Sequence, residues 1–315
     1  MGTRSAGLDR AVLTRLSAGA LDWISRHSAF LDTPSGIAEL PVTPRVKALL
    51  QLAMLRRHWS LAAPAAPALA AVDAIVRRVW QRPEYAARLT DDPRYARQFQ
   101  LMFAALAPAG SGDRLPAAVL AELSGTPFLT SRRKPPYLHL ETRYYADLAG
   151  AAHRLAPYRE LYEASALARH GSGLPVGELE VCNVTHTLFY LSDFGLRDPG
   201  LTERDRDRAR RTVCRLTEKC AARGEWDLTG KLVLAQHCLG LDPLETPSGA
   251  AGLRLLAEAQ TADGAIPGRS ATDRAPGDPD GTAYFRRSYQ STVVAALTVA
   301  CTDRSAAPAE SLVAR

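Results

Sequence analysis

The chain has 315 residues, 46% of them hydrophobic and 23% charged, a balance that suits a globular chain with material for one large core. Its longest apolar stretch, around Leu61 to Ile75, is broken by prolines and Asp73, which excludes a membrane span. The net charge of +6 does not indicate nucleic acid, because only four of the 39 basic residues are lysine and the charges alternate, as in Glu203-Arg204-Asp205-Arg206-Asp207-Arg208.

The N-terminus opens into an amphipathic segment without an apolar signal core, and Ala6 stands where a myristoylation signal needs Ser or Thr. A soluble, cytoplasmic protein is expected. Hydrophobic periodicity then predicts helices at about 8–28, 43–60, 66–87, 92–107, 115–124, 137–155, 158–169, 178–194, 203–222, 226–240, 247–260 and 286–302. Thr43-Pro44, Thr202-Glu203 and Ser248 read as helix starts, and Gly171, Gly195, Gly224 and Gly240 as stops. Residues 303–315 read as a disordered tail, and the segments 108–136 and 268–284, rich in Gly, Pro and charge, as mobile loops. Five cysteines at irregular spacings, with no CxxC, do not suggest a disulfide framework.

About twelve helices joined by short loops suit a single all-α domain spanning 1–315, either a repeat array or an (α/α)6 double ring of hairpins. An internal echo supports this reading. Leu216 to Gly224, followed by Glu225-Trp226-Asp227, recurs 40 residues later as Leu256 to Gly264, followed by Ala265-Ile266-Pro267. Helices 178–194 and 226–240 are apolar around most of their circumference, as inner helices of such a ring would be.

Gln260-Thr261-Ala262-Asp263-Gly264-Ala265-Ile266-Pro267 resembles the Q-x-x-D-G turn of α/α-toroid proteins, which include protein prenyltransferase β subunits, triterpene cyclases and lanthipeptide cyclases; Gly224-Glu225-Trp226 is a degenerate second copy. This resemblance covers roughly 160–302 and implies the toroid fold rather than a reaction. Thr185-His186-Thr187-Leu188-Phe189-Tyr190-Leu191-Ser192-Asp193-Phe194-Gly195, with Trp226-Asp227-Leu228 after it, resembles a second, actinobacterial family. In that family an acidic residue often stands where Lys231 is and a His where Gln290 is, so the chain departs there. The resemblance implies no reaction.

Cys182 and His186, spaced i,i+4, project from one helix face, and Asp227 follows on the next inner helix, giving three ligand types suited to zinc. Toroid prenyltransferases bind zinc through Asp, Cys and His, which the resemblance adds. Structural roles fit the same residues: Cys182 as a core thiol, His186 as a donor to a carbonyl or to Asp227, and Asp227 as a first-turn carboxylate. Without a metal, inner-helix starts facing one mouth would line a cavity with His139, Glu141, Tyr145, Glu180, His186, Trp226, Asp227, Lys231, Arg287, Tyr289 and Gln290. The pairs Glu141/Tyr145 and Asp227/Lys231 share faces at i,i+4, and a carboxylate beside His or Lys supports acid–base work.

No P-loop, Rossmann glycine pattern, HExxH, G-x-S-x-G or D-x-D-D run is present. The expected function is a biosynthetic enzyme of bacterial specialised metabolism. It would act on a hydrophobic or peptide-like substrate by acid–base or metal-assisted cyclisation or group transfer, with His186, Asp227, Lys231, Tyr289 and Glu141 catalytic. The alternatives are an (α/α)6 glycosidase or lyase using Glu141, Glu180 and Asp227, and a non-catalytic scaffold for a partner protein.

Overall fold

The computed structural model describes residues 10–32, 40–62, 67–110, 114–129, 134–170, 173, 177–275 and 277–302. Among them are fourteen α-helices and no strand, with one isolated bridge between Gly268 and Arg274. In chain order the helices are α1 (Arg10–Arg26), α2 (Val42–Ala62), α3 (Pro67–Trp80), α4 (Pro83–Arg88), α5 (Ala96–Leu106), α6 (Arg114–Ser124) and α7 (Pro136–Ala149). They continue as α8 (Tyr158–Glu163), α9 (Ala166–His170), α10 (Glu178–Ser192), α11 (Glu203–Ala222), α12 (Trp226–Cys238), α13 (Pro247–Ala259) and α14 (Thr282–Thr302). The expected tail at 303–315 and the stop at Gly171 lie outside the described residues.

Local chemistry accounts for most boundaries. Thr202 caps α11 by accepting from the Asp205 N–H at 3.2 Å. Thr246, rather than Ser248, caps α13 by accepting from the Gly249 N–H at 3.1 Å, with Pro247 in the first helical position. The segment expected as one helix over 66–87 breaks before Pro83, because the residue preceding a proline is driven to extended backbone, and Arg82 has ψ 122°. The helix expected to reach 155 ends at Ala149, where Gly150 turns left-handed with φ 69°.

The helices alternate between two kinds of surface. In α11 the buried residues Ala209, Thr212, Val213, Leu216, Thr217 and Cys220 form one stripe, so the helix covers the core with one face only. In α12 every residue except His237 is buried, so neighbours cover the whole circumference. The helices α2, α5, α7, α10, α12 and α14 each pack on the next, and α14 packs back on α2. Helices α1, α3, α6, α8, α9, α11 and α13 pack against this set from other sides. No helix among the described residues is long and apolar enough to cross a membrane.

The Gln260–Gly264 turn ties the segment after α13 to α1. The Gln260 amide donates to the Leu16 carbonyl at 2.9 Å and to the Gly264 carbonyl at 3.0 Å. Gly264 has φ 95°, and a Cβ there would lie 2.1 Å from the Gly19 carbonyl oxygen, so only glycine permits the contact with α1.

Candidate functional site

The six mutually packed helices surround a cavity of about 170 Å³. Leu50, Gln51 and Met54 reach it from α2, Met102 from α5, Glu141 and Tyr145 from α7, and His186, Phe189 and Tyr190 from α10. Phe194, just after α10, completes that wall; Lys231 and Leu234 come from α12, and Val293, Val294 and Leu297 from α14. The lining is mostly apolar, with its polar groups at separate points, the usual composition of a small-molecule site.

One side of the cavity is acidic and aromatic. Tyr190 Oη donates to Glu141 Oε1 at 2.7 Å. Burial raises the Glu141 carboxyl above its ordinary range, opposed by the Tyr190 hydrogen bond and by the more distant Lys134 and Lys47. Burial also drives the Tyr145 and Tyr190 phenols well upward, reinforced by Glu141, so both remain neutral donors. Lys134 donates to Thr142 Oγ1 at 3.1 Å and lies 3.3 Å from the Phe128 ring centre; burial lowers it to about 8.

His186 stands between this side and a second polar group. Burial and then the nearby Lys231 lower its pKa to about 4, with Asp227 opposing, so the imidazole is neutral near pH 7. It makes no hydrogen bond to the described residues, leaving both ring nitrogens for a ligand. Across from it, Lys231 Nζ pairs with Asp227 Oδ2 at 2.6 Å, with the carboxylate almost wholly buried at 1% exposure. Gln290 Nε2 donates to Asp227 Oδ1 at 3.4 Å, and the Arg269 guanidinium lies 3.5 Å from Oδ2 while also pairing with Glu178. The Asp227 N–H, free in the first turn of α12, donates to the Arg269 carbonyl at 3.1 Å.

Among the described residues no three His, Cys, Asp or Glu side chains are grouped to hold a metal ion. The carboxylate of Asp227 is engaged by Lys231, Arg269 and Gln290, and burial raises the Cys182 thiol.

The expected common mouth also divides. Glu141, Tyr145, His186 and Lys231 line the cavity; Asp227 and Gln290 lie behind Lys231 and hold it. Tyr289 is buried beside Phe285, with its pKa pushed up to about 12 by burial and by Asp227, and does not line the cavity. Trp226 turns away from it into a second apolar cluster with Leu13, Leu16 and Val233, where the Arg274 guanidinium covers its ring at 5.5 Å. Arg287 is exposed and pairs with Asp273 at 3.0 Å. Glu180 curls back over Gly177 in the first turn of α10, and His139 also lies outside the lining.

Tyr190 was absent from the expected set, although it follows His186 by four residues and therefore shares its helix face. Gln51, Met54 and Met102 carried no such signal, because apolar and amide residues on a buried helix read as core. Phe194 reaches the cavity through an unusual turn. Asp193 and Phe194 both have left-handed φ, 48° and 56°, ahead of Gly195 at 87°. Arg57 holds this turn with a two-pronged contact to Asp193 at 2.8 and 2.9 Å, and Tyr144 Oη donates to the same carboxylate at 2.6 Å. Although burial alone would raise the Asp193 pKa, these bonds hold it below the usual carboxylate value.

Fold and site together define an all-helical protein with a mainly apolar cavity into which a neutral imidazole, a carboxyl and a lysine project from three helices. The chain belongs to the family described as "Domain of unknown function (DUF6895)", whose model matches residues 17–300. No curated protein and no solved structure matches it.

Proposed function

We propose that this protein is an enzyme with an (α/α)6 toroid fold, whose central cavity binds a small, mainly apolar molecule and moves a proton to or from it during cyclisation or group transfer. The toroid reading is supported by the succession α2, α5, α7, α10, α12, α14 and back to α2, with the other helices alternating outside it. The single observation that carries the enzymatic reading is the convergence of His186, Lys231 and Glu141 on one apolar cavity. A neutral imidazole with no hydrogen bond to the described residues acts as a base, and the Lys231–Asp227 pair stabilises negative charge as it develops. Glu141, with its raised pKa, supplies or accepts a proton on the opposite wall. The cavity volume favours a small molecule over a peptide, since an apolar cavity of about 150 Å³ accommodates benzene.

The two other readings have less support. A glycosidase needs two carboxylates about the bond it cleaves, whereas among the described residues Glu141 is the one acid in the lining. A docking scaffold needs a large apolar surface, and among the described residues the large exposed apolar side chains are Leu61, Tyr95 and Leu179, on three different segments.

The test is incubation of the full chain with a small-molecule extract in D2O, followed by mass spectrometry. Wild type should give a product or a deuterated compound that folded His186→Ala and Lys231→Met variants fail to give. Identical profiles for wild type and His186→Ala would remove the assignment.

A further inference from the structure

The side of the cavity away from Lys231 presents more acceptors than the protein satisfies. Glu141 Oε1 receives the Tyr190 hydroxyl, but Oε2 receives no hydrogen bond from the described residues. Gln51 Oε1, on the facing helix α2, is buried and also lacks a hydrogen-bond partner. An apolar ligand would leave both acceptors unpaired, so a ligand that brings hydrogen-bond donors is favoured over it. The two lysines whose charge acts on Glu141 are engaged elsewhere. Lys134 donates to Thr142 and sits over Phe128, while Lys47 lies 4.8 Å from the Tyr95 ring centre. The third lysine, Lys231, is paired with Asp227.

Around these acceptors stand Tyr145, Phe189, Tyr190 and Phe194, with the thioethers of Met54 and Met102. Aromatic faces attract a cation through their quadrupoles, and thioethers are polarisable neighbours for one. A carboxyl group with no direct salt-bridge partner among aromatic side chains suits an ammonium group, whose charge would favour its ionised form. We infer that the cavity takes a small hydrophobic amine, its ammonium donating to Glu141 Oε2 and Gln51 Oε1 and its apolar body filling the space between α10 and α14. This assignment deepens the enzymatic reading and rests on it in using the same cavity: it names the substrate class, places the proton that Glu141 exchanges on the bound ammonium, and leaves the rest of the transfer to His186 and Lys231.

The experiment is calorimetric titration of the full chain with benzylamine, benzyl alcohol and toluene, three probes of similar shape that differ in charge and donors. Benzylamine should bind about tenfold tighter than benzyl alcohol, and Glu141→Gln should bring the two within about twofold of each other. Gln51→Leu, a milder change, should weaken benzylamine severalfold and leave toluene unaffected. Benzyl alcohol binding as tightly as benzylamine, or a preference unchanged in both variants, would overturn the amine assignment while leaving the cavity available for the proposed proton transfer. Binding of none of the three would overturn it as well. An amine preference that depends on Glu141 supports it, even if the exchange experiment on His186 fails.

Discussion

At the scale of single residues, the cavity keeps two titratable groups in forms that water would not favour. His186, lowered from 6.5 to about 4, refuses a proton that the unfolded chain accepts between those values. Its contribution to stability is therefore complete above pH ~6.5 and is lost as pH falls towards about 4, on the order of 3 kcal/mol. Glu141 has the opposite sign: its raised pKa means that stability is lost as pH rises above 4.5 through the folded value. The two contributions overlap, so the acid limb attributable to His186 should emerge cleanly in a Glu141→Gln background. Urea unfolding from pH 7 to pH 4 measures it, and a flat profile in that background would contradict a buried neutral imidazole.

The Lys231–Asp227 pair gives a second residue-scale expectation. Lys231→Met should cost about 3 kcal/mol in urea unfolding, because it leaves a buried carboxylate with only the longer contacts from Arg269 and Gln290. Adding Asp227→Leu should recover much of that loss, since removing both charges spares the desolvation that one charge alone incurs. A double variant weaker than the sum of its singles would show that the pair is not a closed unit. This pair was legible in the sequence from its i,i+4 spacing, as was Glu141 with Tyr145. Trp226 was not, because adjacent residues on a helix point about 100° apart: Asp227 faces Lys231, and Trp226 the second apolar cluster. The same rotation sends Arg287 to solvent while Gln290, three residues on, reaches Asp227.

At the scale of elements, the end of α10 has the clearest designed geometry. Two consecutive non-glycine residues in left-handed backbone each cost about 1 kcal/mol or more, and they persist where surrounding contacts over-determine them. Arg57 and Tyr144 supply those contacts from α2 and α7, and the turn in response places Phe194 in the cavity wall. Arg57→Ala should lower stability by about 2–3 kcal/mol, and Arg57→Lys should restore only part of it, because an ammonium cannot reproduce the two-pronged contact. Full restoration by lysine would mean that charge alone holds the turn. The helix starts and stops were readable because caps and glycines act locally. The breaks at Pro83 and Gly150 were passed over by a periodicity that continues across them, since apolar spacing reports a buried face and not an unbroken hydrogen-bond ladder.

At the scale of the molecule, the alternation of one-faced helices such as α11 with fully covered ones such as α12 was visible in the pattern of apolar residues. The cavity they enclose was not. Its acid–base side chains carry recognisable spacings, but Gln51, Met54 and Met102 on α2 and α5 become part of a site only when distant segments meet. Spacing brings Cys182 and His186 to one face, but it cannot show that Asp227 already has a cationic partner.

The central claim is that these helices enclose a ligand cavity with His186 on its wall. Ring-¹⁵N NMR of the chain's seven histidines during titration with toluene tests it most directly. The account predicts a saturable shift of the His186 signals, with the remaining histidines unchanged and the effect reduced in a Leu234→Trp variant that fills the cavity. Saturable toluene binding that leaves His186 unmoved, or no binding at all, would contradict it.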